Sequence, residues 1–218
     1  MTYNELKQNK EIATYIKKAD ESLLALGYTE HSFAHVGRVA DTAANILQTL
    51  DFDEHSIELA KIAAYLHDIG NLVNRIEHSQ SGAVMAFRLL DHMNMPAEDI
   101  ATIVTAIGNH DEGTGVAVNP VAAALILADK SDVRRSRVRN NDITAFDIHD
   151  RVNYSVNSSQ IDIDKQNETI TLTLSIDTQY SSVMDYFEIF LNRMTMCRKA
   201  AETLGLQFKL VINNQQLL

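Results

Sequence analysis

The sequence holds a single cysteine, Cys197, so no disulfide can form within the chain and nothing suggests a secreted, cross-linked framework. Two prolines and eight glycines in 218 residues are few interruptions, and they leave room for long helices. No apolar run approaches the ~18 residues of a membrane span, and the segment Met1–Lys7 has no signal-peptide core. A cytoplasmic location is the expectation. A surplus of positive charge is also missing: 19 Lys and Arg stand against 29 Asp and Glu, a formal net charge of -10. That balance argues against general nucleic-acid binding, yet it leaves room for an anionic small substrate at a local cationic site. Internal repeats and low-complexity stretches are absent as well. What remains is 45% hydrophobic and 22% charged, the composition of a globular chain able to bury a sizeable core.

Helical periodicity dominates the first 140 residues. Leu6, Ile12, Ile16, Leu23 and Leu24 predict a helix over 3–26, with Gly27 as its stop. Further helices are expected over 31–50, over 55–68 with Gly70 ending it, from His78, from Pro96 to Asn109, and from Pro120. The last is apolar nearly all round from Val121 to Ala128 and should be central. The polar segment 71–77 reads as a loop reaching over whatever lies beneath it. Beyond residue 140 the period changes to two: Ile161-Asp162-Ile163 and Ile170, Leu172, Leu174, Ile176 alternate, and 164–167 suits a hairpin turn. A long amphipathic helix from Val183 to Leu204 and a last alternating run, Leu206, Phe208, Leu210, complete a small β-β-α-β appendage, expected to be antiparallel. The expected division is a helical core over 1–140 and the appendage over 141–218.

His67-Asp68 closes the apolar run Ile62–Leu66. A carboxylate beside an imidazole at such a place is partly buried, and an unpaired buried charge costs several kcal/mol. His35, His78, His110 and Asp129 likewise sit at apolar helical stretches. Four imidazoles and two carboxylates can hold two divalent ions if Asp68 bridges them. One ion would take His35, His67, Asp68 and Asp129, and the other Asp68, His78 and His110. The N/O donor set without thiolate suits Fe, Mn, Ni, Co or Zn. Ions so held make water a nucleophile at neutral pH and neutralise charge on a phosphoryl oxygen. His31 is expected to order the surroundings of the centre rather than to ligate, and His55, His92 and His149 read as surface residues.

The ordered series His35, His67-Asp68, His78, His110, Asp129, within His35-Val-Gly-Arg38, Leu66-His-Asp-Ile-Gly70 and Ala128-Asp-Lys-Ser-Asp132, resembles the ligand series of the HD-domain metal-dependent phosphohydrolase superfamily in its two-metal form. The likeness covers residues 28 to about 139. Asn71 stands where many members of the cyclic-dinucleotide (HD-GYP) branch have lysine, and no Gly-Tyr-Pro signature follows, so the resemblance lies outside that branch. It implies a mainly α fold, an HD-domain helical bundle carrying the C-terminal appendage, and hydrolysis of a phosphoester in a nucleotide or small phosphorylated metabolite. His67 and Asp68 would be its central, catalytic residues.

The one locally basic run, Lys130 to Arg139, directly follows Asp129. Lys130, Arg134 and, one turn after His35, Arg38 are expected to bind substrate phosphate through charge-assisted hydrogen bonds, the alternative for the run being a solvated helix end. Asp111 is placed to orient water or a leaving group. Two other activities fit the same ligand series: a di-iron oxygenase of the inositol-oxygenase kind, and a nucleotide-binding regulatory module. The apolar stripe of the last helix is core or a self-association face, and a homodimer through the appendage is the corresponding expectation.

Overall fold

Most helices in this protein begin where a side-chain oxygen meets the free amides of the first turn. A computed structural model describes residues 1–218. Thr2 and Glu5 form a capping box at α1 (Tyr3–Lys7), and Asn9 accepts from the Glu11 and Ile12 amides at α2 (Lys10–Ala25). Ser32 caps α3 (Phe33–Thr49), Asp53 caps α4 (Glu54–Leu66), and Asn119 caps α7 (Pro120–Ser131), with Pro120 in the first turn. α5 (His78–His92) and α6 (Ala97–Gly108) lack such caps, and α5 is entered instead through Glu77 in the left-handed region at φ 55°. The helix expected over 3–26 is therefore two, because Asn9 satisfies a new set of amides and restarts the chain. The helix expected over 31–50 starts two residues later, after its Ser32 cap. Replacing Asn9 with alanine should cost about 1 kcal/mol, a melting temperature roughly 2–4 °C lower by calorimetry.

The helix predicted as central is so. Every residue of α7 from Val121 to Ala128 is buried, and α3, α4, α6 and α9 (Val183–Thr203) pack around it. Burial all round leaves no solvent face for Asp129 except at the helix end. After α7 the chain makes a short 3-10 turn at Arg135–Arg137, a second at Ile143–Ala145, and α8 (Ile148–Ser155), a helix that the sequence pattern did not announce.

The sheet has the order β1 (Val156–Asp164), β2 (Thr169–Ile176), β3 (Gln207–Ile212), β4 (Gln215–Gln216). β1 and β2 form the expected hairpin, with Ile163 opposite Ile170. The sheet expected to be antiparallel is mixed: β2 and β3 run parallel, Leu172 beside Leu210. The reason is the connection, since α9 carries the chain back along the sheet and the next strand must run in the same direction as the first. Apolar side chains of the bundle and of the appendage belong to one hydrophobic cluster, which includes Leu125 of α7, Phe190 of α9 and Leu172 of β2. No helix is long and apolar enough to cross a membrane.

Candidate metal centre

Helix ends deliver the six predicted ligands to one point. His35 lies in the first turn of α3, His67 and Asp68 directly after α4, His78 at the first residue of α5, His110 just beyond α6, and Asp129 in the last turn of α7. α4 ends at Leu66, and the chain tightens at once into a 3-10 turn, Ile69–Leu72, so the pair sits at a corner rather than inside the helix expected to reach 68. The four imidazoles and Asp68 are buried, and the Asp129 side chain is 13% exposed.

The donor atoms converge. His35 Nε2 is 3.5 Å from Asp68 Oδ2 and 3.3 Å from Asp129 Oδ1; His67 Nε2 is 3.1 Å and 3.6 Å from the same two oxygens. On the other side His78 Nε2 is 3.5 Å from Asp68 Oδ1 and 3.1 Å from His110 Nε2. The two oxygens of Asp68 thus face different sets of imidazoles. Two groups, His35–His67–Asp129 and His67–Asp68–His110, bring one donor atom each within 4.8 Å of one another, a spacing that could hold a metal ion.

What each imidazole does with its other nitrogen is equally informative. Nδ1 of His67 meets the Ala64 carbonyl at 2.7 Å, that of His78 the Arg75 carbonyl at 3.1 Å, and that of His110 the Ile107 carbonyl at 2.6 Å. Nδ1 of His35 meets the Asp132 carboxylate at 2.7 Å. Each Nδ1 donates, which fixes the tautomer and turns an Nε2 lone pair inward, as metal-ligating imidazoles require. Among those inward atoms, His35 Nε2, His67 Nε2 and Asp68 Oδ2 are buried with no hydrogen-bond partner. Orphaned buried polar atoms cost about 1–3 kcal/mol each, and three aimed at one point are explained by a cation between them.

Electrostatics follow the same division. Burial pulls the His67 imidazolium down, but the Asp68 and Asp129 carboxylates outweigh it and push its pKa up to about 10, so without a cation Nε2 holds a proton that a bound metal ion would displace. Burial opposes ionisation of Asp68 and Asp129 too; His67 and His31 at the first, and Lys130 and His35 at the second, nevertheless hold both well below the usual carboxylate range. His110 is held well below the ordinary imidazole range by burial, and next by His67 and Lys130, so its lone pair is free to bind.

The residues predicted to bind substrate separate. Lys130 lies at the centre but is buried, its Nζ 2.7 Å from Asp129 Oδ2 and 3.4 Å from Glu112 Oε1. Arg38 and Arg134 line neither cavity that borders the centre. The helix that would have carried Arg134 round to the mouth stops at Ser131, and its guanidinium lands on Asp132 and Glu30, 2.9 Å from each. Arg38 lies 3.6 Å from the same Asp132. His31 is half-buried with its ring edge-on to that of His35, Asp111 lines the cavity beside His78, and His55 pairs with Asp99 at the surface. His149, expected at the surface, is exposed and also lines the neighbouring cavity.

Sequence reasoning missed several residues. Asn71, read as part of a loop, is buried and donates from Nδ2 to Asp68 Oδ1 at 2.9 Å, fixing that carboxylate. Asp132 orients His35. Its position three residues after Asp129, hence on the same side of α7's last turn, was a usable signal. Arg75, whose NH1 is 3.4 Å from His78 Nε2, and Arg193 of α9, whose Nε is 2.5 Å from Glu112 Oε1, carried no local signal. With Arg137, they line a cavity of about 440 Å³ that also holds His31 and Glu112 but none of the six converging residues. Asp132→Asn keeps the shape but removes the charge that raises the basicity of His35. It should lower metal affinity about 10–100-fold in a metal titration; unchanged affinity would assign Asp132 to the arginines alone.

The chain aligns at 29% identity over 162 residues with an uncharacterized protein of Methanocaldococcus jannaschii, covering 64% of this chain and 62% of that protein's length. A solved structure of a predicted HD superfamily hydrolase from an uncultured Thermotogales bacterium matches with a TM-score of 0.45 at 26% identity, over 62% of this chain and 75% of that one. The HD domain family model matches residues 32–151, a span that contains all six converging residues and more than half of the chain. The chain belongs to the HD-domain family.

Proposed function

We propose that this protein is a metal-dependent phosphohydrolase with a dinuclear centre, acting on a phosphoester of a nucleotide or other small phosphorylated metabolite. The observation that carries the reading is the set of partnerless buried atoms on His35, His67 and Asp68, at a point where the Nε2 atoms of four imidazoles meet. His35, His67, Asp68 and Asp129 would hold one ion, and Asp68, His78 and His110 the other. Fe, Mn, Ni, Co and Zn all suit these donors. When bound, such ions supply an activated water and neutralise charge on phosphoryl oxygens.

The protein's own groups do the rest. Lys130, Arg75, Arg137 and Arg193 stand near the centre among Glu112, Asp147 and Asp150, and the three guanidinium forks suit the oxygens of a phosphate. Lys130 neutralises the outer oxygen of Asp129, while Glu112 lies between Lys130 and Arg193 and sets where both cations stand. Asp111 Oδ1, 4.0 Å from His78 Nε2 on the cavity wall, is placed to hold a proton during attack or departure. The cavity lined by Arg75, Arg137 and Arg193 falls within the volume range of small-metabolite pockets.

The test is phosphate release from a panel of nucleotides and sugar phosphates by protein loaded with each candidate metal. Turnover that depends on metal supports the assignment. No phosphate release, together with oxygen uptake on a polyol, would replace it with an oxygenase. Arg193→Ala should raise KM about tenfold or more for a phosphorylated substrate with a smaller change in kcat, because a charge-assisted contact to the phosphate is lost. An unchanged KM would remove α9 from the site.

A further inference from the structure

A cavity of about 630 Å³ lies where the bundle meets the sheet, with Asp132, the partner of His35, in its wall. Its walls are the outer face of α3, the turn that follows α7, and the first half of β1; none of the six converging residues lines it. The lining is polar, with only four hydrophobic residues among 17, and it holds three guanidinium groups, Arg38, Arg134 and Arg135. The basic run of the sequence is therefore split by the end of α7: Lys130 serves the centre, and Arg134 and Arg135 serve this second cavity.

The cations here are not matched one to one. Asp132 is shared by Arg38 at 3.6 Å, Arg134 at 2.9 Å and, outside the cavity, Arg137 at 3.9 Å, and it also meets His35; Arg134 has a second partner in Glu30, Arg135 lies 4.0 Å from Asp177, and Asp41 is a further acid on the wall. Arg38 is 60% exposed and has no other ionic partner, so its fork points into the cavity mouth with donors to spare. Opposite it, Ser158, Ser159 and Gln160 belong to β1, an edge strand whose outer backbone groups have no sheet partner. The Ser159 hydroxyl is committed to the Ser131 carbonyl at 2.6 Å, which leaves the Arg38 fork, Ser158 and the outer amides of the edge strand as the groups that suit a phosphate.

We propose that this cavity is a second ligand site, taking a small metabolite that carries a di- or oligophosphate group, and that it reaches the metal centre through Asp132. One carboxylate oxygen of Asp132 faces the cavity's arginines, and the other accepts from His35 Nδ1. Asp132 is the shared element, so an anion that draws Arg38 and Arg134 toward itself also moves the Asp132 side chain against the His35 ring. The site is independent of what the metal centre hydrolyses.

The probe is inorganic pyrophosphate, titrated into the metal-free full-length protein and followed by backbone amide and histidine ring signals, with sulfate at matched ionic strength as control. Saturable movement is expected at Asn157–Gln160 and around Arg38, with the His35 ring following at the same dissociation constant. Arg38→Glu should weaken this binding about tenfold or more while movement near Arg75 and Arg193 persists. Asn45→Glu, at an exposed position on the same wall, should weaken it as well and serves if Arg38→Glu is poorly folded. No saturable movement at β1, equal movement with sulfate, or movement that survives both substitutions would overturn the site. Movement at β1 without any at His35 would overturn the link.

Discussion

Asp68→Ala is expected to empty the centre of metal and reduce turnover to the background of the metal-free protein, a loss on the order of 10³-fold or more. Asp68 is the only carboxylate whose two oxygens face both sets of imidazoles, Oδ2 toward His35 and His67 and Oδ1 toward His78. His67→Ala removes an imidazole that both donor groups contain, but no negative charge. Asp68→Ala removes a donor from both, and with it the negative charge that offsets bringing cations into a buried site. Metal analysis of purified Asp68→Ala protein, run beside a phosphate-release assay, reads both effects. Retained metal at wild-type stoichiometry would show that the two sets do not depend on a shared carboxylate.

Gly70→Ala should be the most damaging small substitution in the chain. Gly70 follows the His-Asp corner, and α5 crosses directly over it: an added Cβ would fall on the His78 carbonyl oxygen and the Gly82 amide nitrogen, and 2.6 Å from Ser81 Oγ. Gly82 is the matching bare position on α5, where a Cβ would lie 3.2 Å from both Gly70 N and the His67 carbonyl oxygen. The two glycines let backbone meet backbone, and that contact sets His78 against His110. A methyl group there cannot be absorbed by rotating a side chain, because two of the three atoms it meets are backbone. The expected cost is about 3 kcal/mol or more, with the melting temperature lower by roughly 10 °C. The same variant should lose metal from the His78–His110 side first, since the clash displaces His78 itself. A melting curve equal to wild type would show that α5 is not held at this crossing.

The sequence was most legible where a regular pattern fails. Asp129 stands out because it breaks a helix that is apolar all round, and His67-Asp68 because charge follows five apolar residues. Such breaks mark places where burial needs a second explanation, and all six residues found this way meet at one point. Pairings between distant segments were not legible. Asp132 and His35 are 97 residues apart and Glu30 and Arg134 are 104 apart, and nothing local in either pair names its partner. Arg193 is one of several charges on α9 and reaches Glu112 only because α9 packs on α7. Alternation in β2 and β3 reveals strands facing a core, but strand direction depends on how α9 returns the chain, so the parallel pairing was open until the fold was seen. Arg134 illustrates the limit of counting turns: the count assumed that α7 continued, and the helix ends at Ser131.

The central claim is a phosphohydrolase working through two ions that share Asp68. The most direct measurement is phosphate release by metal-stripped protein titrated with Mn²⁺, with activity plotted against ions bound per chain. Activity that rises and saturates at two ions per chain is the predicted result. Saturation at one ion, or full occupancy with no phosphate released from any phosphorylated metabolite tested, would contradict it.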